Sequence, residues 1–556
     1  MKNCLLVAHL ILSVCVSASF AENTNRFWVF FRDKGIPAGQ EQVALQHSYN
    51  SLSSRSLARR AKVLPELVTQ GDIPVCDSYV QAVRQTGAII RRSSKWLNAV
   101  SVAATPEVLL QLKSLACVRE IKPFSQKASC ESNGSPQRHG SLDDPDYGPS
   151  FDQNNMSRIP ELHARGLSGE GVLMTFLDTG YNLAIEAFDS LTVLATWDFI
   201  FGDSIVGVEE EHEEQGGPWQ HNHGTMVLSV AAGCHEGAIV GPAFGADFLL
   251  AKTEWRGGEE QSEEDNYVAA LEWADSIGTD IVSSSVGYKL WYETSDMDGH
   301  TAVTTVAVVE ATRRGILIVT SAGNDRENVD WGTIISPADA DSILAVGAVD
   351  SLEVFADFSS PGPSADGRIK PDICAHGVHT YCATYYTDPE YAYSYTDGTS
   401  ISTPIVSGIA ALVMEAHPEW TAQQVREAMM MSASRASHPD NDYGYGIVDG
   451  VAAVDYSFES APSIKHPPAN SYTLLSAYPN PLNGDGYIRL ILSEPKTGTL
   501  RLFDILGREA QRWEKENWSS GINSVRFSSS NLSSGVYYVR FEERTNCEVA
   551  KVVVIK

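Results

Sequence analysis

Short runs of apolar residues recur through the middle of the chain, and each has the length of one buried strand. Between them lie longer stretches with helical spacing, such as residues 267–277 and 303–313. Buried strands that alternate with helices predict a mostly parallel sheet covered by helices on both faces. We expect this α/β unit to occupy residues 148–457. Its predicted strands are at 172–177, 248–251, 281–285, 316–320 and 343–346.

A smaller unit with a mixed pattern precedes it, at residues 22–125. The pattern predicts three strands, at 27–31, 88–90 and 97–102, and two helices, at 53–63 and 107–115. This small α+β module is more basic than the rest of the chain. Residues 126–147 follow it and are rich in Ser, Gly, Pro, Asn and Asp, so we expect an exposed linker that proteases cut.

The last part of the chain changes to short alternating segments separated by turn residues. Residues 458–471 contain three prolines and are predicted to be a second linker. Residues 472–556 are predicted to form an all-β sandwich. Its expected strands are at 487–492, 499–503, 524–527, 536–541 and 549–555.

The N-terminus has the pattern of a secretory signal peptide. Lys2 supplies a positive charge, residues 4–16 are apolar, and Ser19 and Ala21 are small residues on either side of a large one. We therefore expect residues 1–21 to be removed after Ala21 and the protein to be exported. The apolar run is too short to span a membrane easily, and no later stretch reaches about 18 uninterrupted apolar residues.

Composition narrows the function before any motif is considered. The chain of 556 residues has 41 Lys and Arg against 70 Asp and Glu, which gives a formal net charge of −29. A nucleic-acid binder needs concentrated cationic surface, so that class is disfavoured, as is binding to an anionic membrane surface. An acidic protein of ordinary hydrophobic content fits a soluble protein in an extracellular medium.

The cysteines do not form a recognisable framework. Of the nine in the chain, two lie in the signal peptide, and the remaining odd number is too sparse for a disulfide scaffold. No CxxC pair occurs, so a zinc site of that kind is unsupported. Cys374 and Cys382 are close in sequence, and they form either one disulfide or two buried free thiols.

Three segments of the central unit carry reactive side chains, and the first is Asp178 in the sequence TFLDTG. It follows the first predicted strand, at the carboxyl edge of a parallel sheet, where sites form in α/β proteins. A plain turn explains Asp178 equally well when it is taken alone. An aspartic-protease loop is a third interpretation, but that chemistry needs a second such loop and the chain contains none.

The second segment is HNHGT, which contains His221 and His223. Two histidines two residues apart suggest a metal pair, but no carboxylate spacing of the HExxH kind accompanies them. A structural histidine is the plain alternative. Gly224 allows close packing beside His223, and the apolar residues 226–232 predict a buried helix that holds His223 at its N-terminal end.

The third segment is DGTSISTP, where Ser400 lies at the start of the apolar helix predicted for residues 405–415. Free N–H groups and the helix dipole favour developing negative charge at that position. A serine that only caps the helix is the alternative explanation.

Taken together, the three segments narrow these alternatives. The acid, the histidine and the serine occur in the order Asp178, His223, Ser400, which is the order in subtilisin. The central unit therefore resembles a subtilisin-family serine protease, and the match extends over essentially all of residues 148–457. The resemblance implies that His223 takes the proton of Ser400, and that Asp178 orients His223 and stabilises its charged form.

Further segments of the central unit resemble the same family. Residues 321–324 resemble the loop whose asparagine, here Asn324, forms the oxyanion hole together with the backbone N–H of Ser400. Ser285, Val286 and Gly287 resemble the strand that binds the substrate backbone by β-augmentation. Residues 358–362 and 370–373 resemble two late loops of the domain. Ile401, Met226 and His376 depart from the usual Met, His and Pro, which affects pocket shape and removes no proton-transfer group.

The flanking units acquire roles through the same kind of resemblance. Residues 22–125 resemble the propeptide of such proteases, which assists folding and blocks the active site until the linker is cut. Residues 472–556 resemble the C-terminal sorting domain of the type IX secretion system. The segments that carry this second resemblance are YPNP at 478–481, LFD at 502–504, LSSGVY at 532–537 and the terminal residues 551–556. A β-sandwich appendage that serves binding or stability is the alternative for this unit.

Two acidic stretches, residues 209–214 and 259–265, are predicted to be solvated loops. Calcium sites are the alternative, but no EF-hand-like spacing supports them. The implied chemistry needs no cofactor, and structural calcium stays open through the family resemblance.

The sequence therefore predicts a secreted, monomeric serine endopeptidase that is made as a self-inhibited precursor. Its expected partners are protein and peptide substrates, its own propeptide and the bacterial secretion machinery, with no nucleic acid. Two alternatives stay open: a non-catalytic surface or adhesion protein on a protease fold, and a peptide ligase. Cleavage preference, natural substrate and exact maturation sites do not follow from the sequence.

Overall fold

The computed structural model describes residues 25–124, 145–207, 220–255, 258, 260–458 and, with gaps, 473–554. The predicted signal peptide, most of both predicted linkers and the acidic stretch 209–214 lie outside the described residues. The chain divides into two compact units, with the boundary between Tyr456 and Ser457. The predicted α+β module and the predicted α/β unit both belong to the first compact unit.

The N-terminal module contains one antiparallel sheet of four strands in the order β2-β3-β1-β4. The strands are β1 (Asn25–Phe31), β2 (Ile89–Ser94), β3 (Ala99–Ala104) and β4 (Val118–Pro123). The helices are α1 (Glu41–Asn50), α2 (Ser54–Ala61), α3 (Asp77–Gln85) and α4 (Pro106–Ser114). Ser53 caps α2 by accepting from the Ser56 N–H, and Thr105 caps α4 in the same way, because both side chains satisfy N–H groups that a helix start leaves unpaired.

The large sheet of the first unit has seven strands in the order β13-β12-β11-β10-β5-β9-β6, and every neighbouring pair is parallel. Two short antiparallel ladders, β7-β8 and β14-β15, lie outside it. The strands are β5 (Leu173–Asp178), β6 (Thr192–Asp198), β7 (Cys234–His235), β8 (Ile239–Val240), β9 (Asp247–Lys252), β10 (Ile281–Ser284), β11 (Leu317–Ser321), β12 (Leu344–Val349), β13 (Ile373–His376), β14 (Thr380–Ala383) and β15 (Tyr393–Thr396).

Helices cover both faces of this sheet, as the sequence pattern predicted. They are α5 (Phe151–Asn155), α6 (Ile159–Ala164), α7 (Asn222–Ala232), α8 (Ser262–Ile277), α9 (Val303–Arg313), α10 (Thr399–Ala416), α11 (Ala422–Met431) and α12 (Gly450–Val454). Successive strand residues point to opposite faces, so Phe176 packs with α7 and α10, while Leu177 packs with α8 and α9. The predicted α/β architecture is confirmed.

Helix α10 lies at the centre of the core. Among the described residues, it is the helix whose length and composition would suit a membrane span, and 78% of it is buried inside the unit. Its apolar residues therefore pack against the sheet and against α7 in a core, which is the environment that a helix apolar on all sides requires.

The C-terminal unit consists of two antiparallel sheets in the orders β16-β17-β20 and β19-β18-β21-β22. Its strands are β16 (Thr473–Tyr478), β17 (Asp485–Leu492), β18 (Lys496–Asp504), β19 (Glu509–Trp518), β20 (Gly521–Ser528), β21 (Gly535–Glu542) and β22 (Cys547–Val554). One hydrophobic cluster contains Ile488 of the first sheet and Leu502 of the second, so the two sheets pack as the predicted sandwich.

The prediction of a solvated loop at residues 259–265 is wrong over most of its length. Helix α8 begins at Ser262, and Glu263, Glu264 and Asp265 are buried in its first turn. The pattern failed because folding brings polar partners to these carboxylates, some of them distant in sequence: Arg91 of the N-terminal module, for example, lies 3.3 Å from Asp265. Buried carboxylates persist where such partners exist.

The two alternatives for Cys374 and Cys382 are also decided. Both are free thiols and both are fully buried. The Sγ of Cys374 lies 3.6 Å from the carbonyl oxygen of Tyr443, and the Sγ of Cys382 lies 3.5 Å from that of Ser394. Burial raises the pKa of the Cys382 thiol to about 12, so this cysteine behaves as a small core residue.

Candidate active site

The predicted acid and base meet at the carboxyl edge of the large sheet. Asp178 is the last residue of β5, and His223 is the second residue of α7, which packs against that strand. The Nδ1 of His223 lies 2.8 Å from the Oδ1 of Asp178. The Asp178 side chain is fully buried, whereas 29% of the His223 side chain is exposed. A histidine that donates Nδ1–H to a carboxylate keeps its Nε2 as a proton acceptor.

The loop after β5 fixes the Asp178 carboxylate. The backbone N–H and the hydroxyl of Thr179 both donate to Asp178 Oδ1, at 2.7 and 3.2 Å. The N–H of Thr253, on the adjacent strand end, donates to the Asp178 carbonyl oxygen at 2.9 Å. Together with His223, three donors therefore converge on Oδ1. The two Thr179 groups fix the orientation of the carboxylate, and the carboxylate in turn restricts the orientation of the His223 ring.

Gly224 allows the helix that carries His223 to approach this loop. A Cβ atom at Gly224 would lie 2.2 Å from the carbonyl oxygen of Gly180 and 3.1 Å from the Cβ of Asp178. Any larger residue would push the start of α7 away from Asp178 and lengthen the His223–Asp178 hydrogen bond. The glycine that the sequence placed beside His223 thus serves contact with the Asp178 loop.

Ser400 lies in the first turn of α10, where free N–H groups point outward. Gly398 precedes it with φ of +149°, a backbone conformation that glycine tolerates. A Cβ atom at Gly398 would lie 2.9 Å from the Oγ of Ser400 and 3.7 Å from the Nδ2 of Asn324. The serine hydroxyl and the asparagine amide therefore border the same open position, and glycine keeps it open.

Asn324 follows β11 and is oriented by the residue before Ser400. Its Oδ1 accepts from the N–H of Thr399 at 3.0 Å and from the Thr399 hydroxyl at 2.9 Å. Because the oxygen of the amide is engaged, the Nδ2 group is directed to the side where Ser400 lies. Thr399 stood inside the sequence motif, but the motif alone assigned it no role.

The segment that follows β10 is joined directly to the start of α10. Ser285 donates its hydroxyl hydrogen to the carbonyl oxygen of Ser400 at 2.7 Å. In an unbroken helix, that carbonyl would accept from the N–H of residue 404, but Pro404 has none. The proline thus leaves the Ser400 carbonyl available to Ser285, a connection that sequence inspection did not find.

Val286 and Gly287 continue from Ser285 along the sheet edge. A Cβ atom at Gly287 would lie 2.8 Å from the carbonyl oxygen of Ser336, so only glycine fits there. Val286 packs in the same hydrophobic cluster as Phe124, which follows β4 at the end of the described N-terminal module. The end of the module and the segment that the sequence assigned to substrate binding therefore pack against one common hydrophobic cluster.

The neighbouring histidine, His221, is buried. Burial, followed by the positive charge of Lys252, lowers the pKa of His221 to about 4, so the ring is neutral at physiological pH. Over the described part of the chain, no group of three or more His, Cys, Asp or Glu side chains is arranged to hold a metal ion.

Three family models match consecutive parts of the chain. The subtilase family matches residues 169–446, and a Bacteroidota propeptide domain of the same peptidase group matches residues 26–139. A secretion-system C-terminal sorting domain matches residues 476–556. These matches follow the order of the structural units described above.

Individual relatives agree with the family models. Subtilisin E of Bacillus subtilis is 28% identical over 377 residues, which are 67% of this chain and 84% of the relative. Subtilisin Savinase of Lederbergia lenta is 31% identical over 301 residues, which are 54% of this chain and 97% of the relative. A crystal structure of MycP1 with its propeptide removed covers 56% of this chain and 98% of its own, at 22% identity and a TM-score of 0.44.

The match to the family model and the similarity to the subtilisins define a serine endopeptidase. The chain belongs to the subtilase family. It carries the propeptide of a self-inhibited precursor, and its sorting domain directs it through type IX secretion to the medium or the cell surface.

Proposed function

We propose that Ser400, His223 and Asp178 form the catalytic triad that hydrolyses peptide bonds. The single observation that carries this proposal is the 2.8 Å hydrogen bond between His223 Nδ1 and the fully buried Asp178 carboxylate. It directs Nε2 away from the acid as a base, and a serine hydroxyl at neutral pH needs such a base to act as a nucleophile.

In the proposed reaction, the Oγ of Ser400 attacks the substrate carbonyl carbon while His223 takes the hydroxyl proton. The C–N bond then breaks, the leaving amine receives that proton, and the substrate acyl group stays on Ser400. A water molecule attacks the acyl carbon with His223 again as the base, which releases the carboxylic acid and restores the serine. Asp178 stabilises the imidazolium that forms in each half of the reaction.

The oxyanion of each tetrahedral intermediate is proposed to lie between the Nδ2 group of Asn324 and the backbone N–H of Ser400. The position bordered by Asn324 Nδ2 and Ser400 Oγ supports this assignment. Preorganised donors of this kind typically contribute about 10²–10³-fold to kcat each. The substrate is proposed to extend along Ser285, Val286 and Gly287 by main-chain pairing, which tolerates many side chains.

The precursor is proposed to have the divisions expected from its sequence pattern. These are a signal peptide at 1–21, a propeptide at 22–125, a linker with the processing site at 126–147, a peptidase domain at 148–457, a second linker at 458–471 and the sorting domain at 472–556. The hydrophobic cluster that Phe124 shares with residues of the peptidase unit supports packing of the propeptide against the peptidase domain, which the proposed inhibition requires. All groups of the proposed reaction belong to one chain, so we expect a monomer that needs no cofactor for the chemistry.

A fluorophosphonate probe tests the proposal on the secreted, processed protein. We expect the probe to label the wild-type protein at Ser400 and to leave Ser400→Ala unlabelled, with peptide hydrolysis lost in the same variant. Ser402→Ala, two residues further along α10, is the matched control, and we expect the probe to label it like the wild type. A folded, processed protein that never labels would support the binding-protein alternative, and aminolysis that outpaces hydrolysis on one peptide would support a ligase.

A further inference from the structure

The segment that follows β10, residues 285–292, belongs to no helix or strand, although it begins with the residues proposed to bind the substrate backbone. Its main chain is joined to Ser336: the Tyr288 N–H donates to the Ser336 carbonyl oxygen at 2.7 Å, and the Ser336 N–H donates back at 3.2 Å. Within the described residues, the main-chain groups of Val286 and Gly287 make no hydrogen bond. An irregular segment of this kind depends on its side chains to keep one course.

One of these side chains, Tyr288, is bonded to an acid at the end of another strand. Its hydroxyl donates to the Oε1 of Glu254 at 2.6 Å. Glu254 follows β9, and the exposed fractions are 1% for Tyr288 and 8% for Glu254, so water has little access to the bond. Hydrogen bonds to an ionised acceptor are among the stronger ones in proteins. A buried carboxylate therefore holds the residue that comes directly after Gly287.

The main chain at Glu254 is fixed in turn to the loop that carries Asp178. The Nε2 group of the buried Gln220 donates to the carbonyl oxygens of Thr179 and Glu254, at 2.8 Å in each case. Strand β5, which ends at Asp178, lies between β9 and β10 in the sheet. The hydrogen bond between Glu254 and Tyr288 therefore joins the two segments that lie on either side of the proposed catalytic acid.

The far end of the segment is held by a second acid, Glu264 in the first turn of α8. Its Oε2 accepts from the indole N–H of Trp291 at 2.9 Å, and its Oε1 accepts from the hydroxyl of Tyr292 at 2.7 Å. The rings of Tyr288 and Trp291 have centroids 5.9 Å apart, so the contacts of the two acids are continuous. Two carboxylates thus hold three aromatic side chains of one irregular segment.

Binding of an extended peptide depends on the course of this segment. An added strand gains its affinity from main-chain hydrogen bonds, which require donors and acceptors at the spacing of a strand. A segment that becomes ordered only when the peptide binds loses part of this affinity, because the ordering costs conformational entropy. Tyr288 and Glu254 are placed to reduce that cost, since they hold the main chain next to Gly287 before any peptide is present.

We propose that Glu254 is a positioning residue for peptide binding: through Tyr288, its carboxylate keeps residues 285–287 in the extended course that pairs with the substrate main chain. The proposal rests on the proposed function of residues 285–287 in binding the substrate. Glu254 acts through Tyr288 and touches no reacting atom. Substrates that extend along the segment therefore depend on Glu254 more strongly than substrates that are too short to pair with it.

Steady-state kinetics of the processed protein on two substrates, an extended peptide and a single-residue ester, test this role. Glu254→Leu removes the acceptor and keeps most of the volume, so the KM of the extended peptide should rise about 10-fold while its kcat changes less than about threefold. The KM of the ester should rise less than about threefold. Glu254→Gln keeps an oxygen that accepts from Tyr288, and its KM for the peptide should stay within about threefold of the wild type.

Tyr288→Phe keeps the test decisive if Glu254→Leu folds poorly. It removes the donor from the other side of the bond and should raise the KM of the peptide to a similar extent. Glu254→Gln should add nothing further in the Tyr288→Phe background, because the two residues act through one hydrogen bond. Tyr393→Phe is the matched control, since the buried hydroxyl that it removes lies 2.8 Å from the Nδ1 of His235. This control should lower the melting temperature without raising the KM of the peptide.

Binding of an extended peptide whose central amide is reduced, and which is therefore uncleavable, separates this proposal from the proposed triad. Fluorescence anisotropy measures its dissociation constant on the same processed proteins and requires no catalysis. If the wild type binds this peptide about 10-fold more tightly than Glu254→Leu and Tyr288→Phe but never reacts with a fluorophosphonate, the triad is contradicted and the positioning role is supported.

Three results would overturn the positioning role of Glu254. The first is a wild-type protein that does not bind the uncleavable peptide. The second is wild-type binding and wild-type KM in both Glu254→Leu and Tyr288→Phe. The third is an equal rise of KM for the peptide and the ester, or a Glu254→Gln variant as impaired as Glu254→Leu, because either would indicate a general loss of structure.

Discussion

The side-chain amide of Asn324 has one accepting and one donating end, and Thr399 determines which of them is directed toward Ser400. Both polar groups of Thr399 donate to Asn324 Oδ1. Its hydroxyl oxygen also accepts from the N–H of Gly323 at 3.2 Å. One threonine therefore connects the loop after β11 to the start of α10 and leaves the asparagine N–H groups for the developing oxyanion.

Replacement of Thr399 by Val should lower kcat about 10-fold, with KM nearly unchanged. The backbone N–H of residue 399 still holds Oδ1, so the loss is smaller than the 10²–10³ that removal of an oxyanion donor costs. Steady-state kinetics on one peptide, together with a melting curve, measure the effect. Thr403→Val removes a buried hydroxyl from the next turn of α10 and should leave kcat within twofold. An unchanged kcat in Thr399→Val would contradict the positioning role.

Glu264, in the first turn of α8, should make the stability of the protein depend on pH. Burial raises its pKa to about 7, against partial opposition from the donors Tyr292, Gln261 and Trp291. A carboxyl whose pKa is raised on folding contributes stability that is complete below its ordinary pKa and is lost as the pH rises through about 7.

We therefore expect Glu264→Gln to raise the melting temperature at pH 8 and to change it little at pH 5. The raised pKa corresponds to a gain of up to about 3 kcal/mol in the free energy of unfolding at pH 8 when the carboxyl is replaced. Part of this gain is lost because the Gln amide complements the surrounding donors less well. Calorimetry in a Ser400→Ala background avoids self-digestion during heating. Glu170→Gln, at an exposed position, is the control and should show no such difference between the two pH values. Equal shifts of the melting temperature at pH 5 and pH 8 would contradict this role of Glu264.

At the scale of elements, α10 combines two roles that usually conflict. Its apolar residues fill the core, yet its first turn presents Ser400 to the cleft, and Pro404 interrupts the hydrogen bonding between these parts. The Ser400 carbonyl that the proline leaves unpaired accepts from Ser285. The Ser400 carbonyl is thereby bonded to the segment that follows β10 and not to the second turn of its own helix.

A double-mutant cycle tests this exchange of partners. Ser285→Ala should lower the free energy of unfolding by about 1–3 kcal/mol, because a partly buried carbonyl loses its donor. Pro404→Ala restores an N–H that reaches the Ser400 carbonyl within the helix, so the double variant should recover part of that loss. Additive effects, measured by thermal unfolding in the Ser400→Ala background, would show that the two residues do not share the carbonyl.

The elements that the sequence predicted well are the buried ones. The central strands β5, β9, β10, β11 and β12 lie close to their predicted positions, because a strand buried on both faces is a continuous apolar run. Strands β6 and β19 were not predicted: the first has exposed residues along its length, and the second is rich in charged side chains. For such strands, pairing with a neighbour and not local composition decides the structure.

At the scale of the whole molecule, the chain is a peptidase unit with its propeptide, followed by a separate β-sandwich with its own core. The sorting-domain match begins at residue 476, within the second unit. The sorting domain and the peptidase chemistry therefore belong to different compact units, and each unit should tolerate removal of the other.

Truncation after Tyr456 should leave the melting temperature of the first unit unchanged, because the described residues of each unit form hydrophobic clusters of their own. In a host with type IX secretion, the truncated chain should stay cell-associated while the full-length chain reaches the medium. Fractionation followed by immunoblotting measures the distribution, and a reporter fused to residues 457–556 provides the control. A truncated chain that is secreted as well as the full length would contradict the division of roles.

The sequence by itself determined the expected chemistry and the buried strands, because both depend on local patterns. Apolar runs indicate the strands, and short motifs around Asp178, His223 and Ser400 indicate the chemistry. Only the tertiary structure decided which distant groups satisfy one another. It buried the acids of α8, left Cys374 and Cys382 as thiols, assigned the Ser400 carbonyl to Ser285 and gave Asp275 two arginines from the N-terminal module. The physical reason is that the polarity of a residue determines the free energy that its burial costs. The group that offsets this cost is often distant in sequence, and only folding brings it into contact.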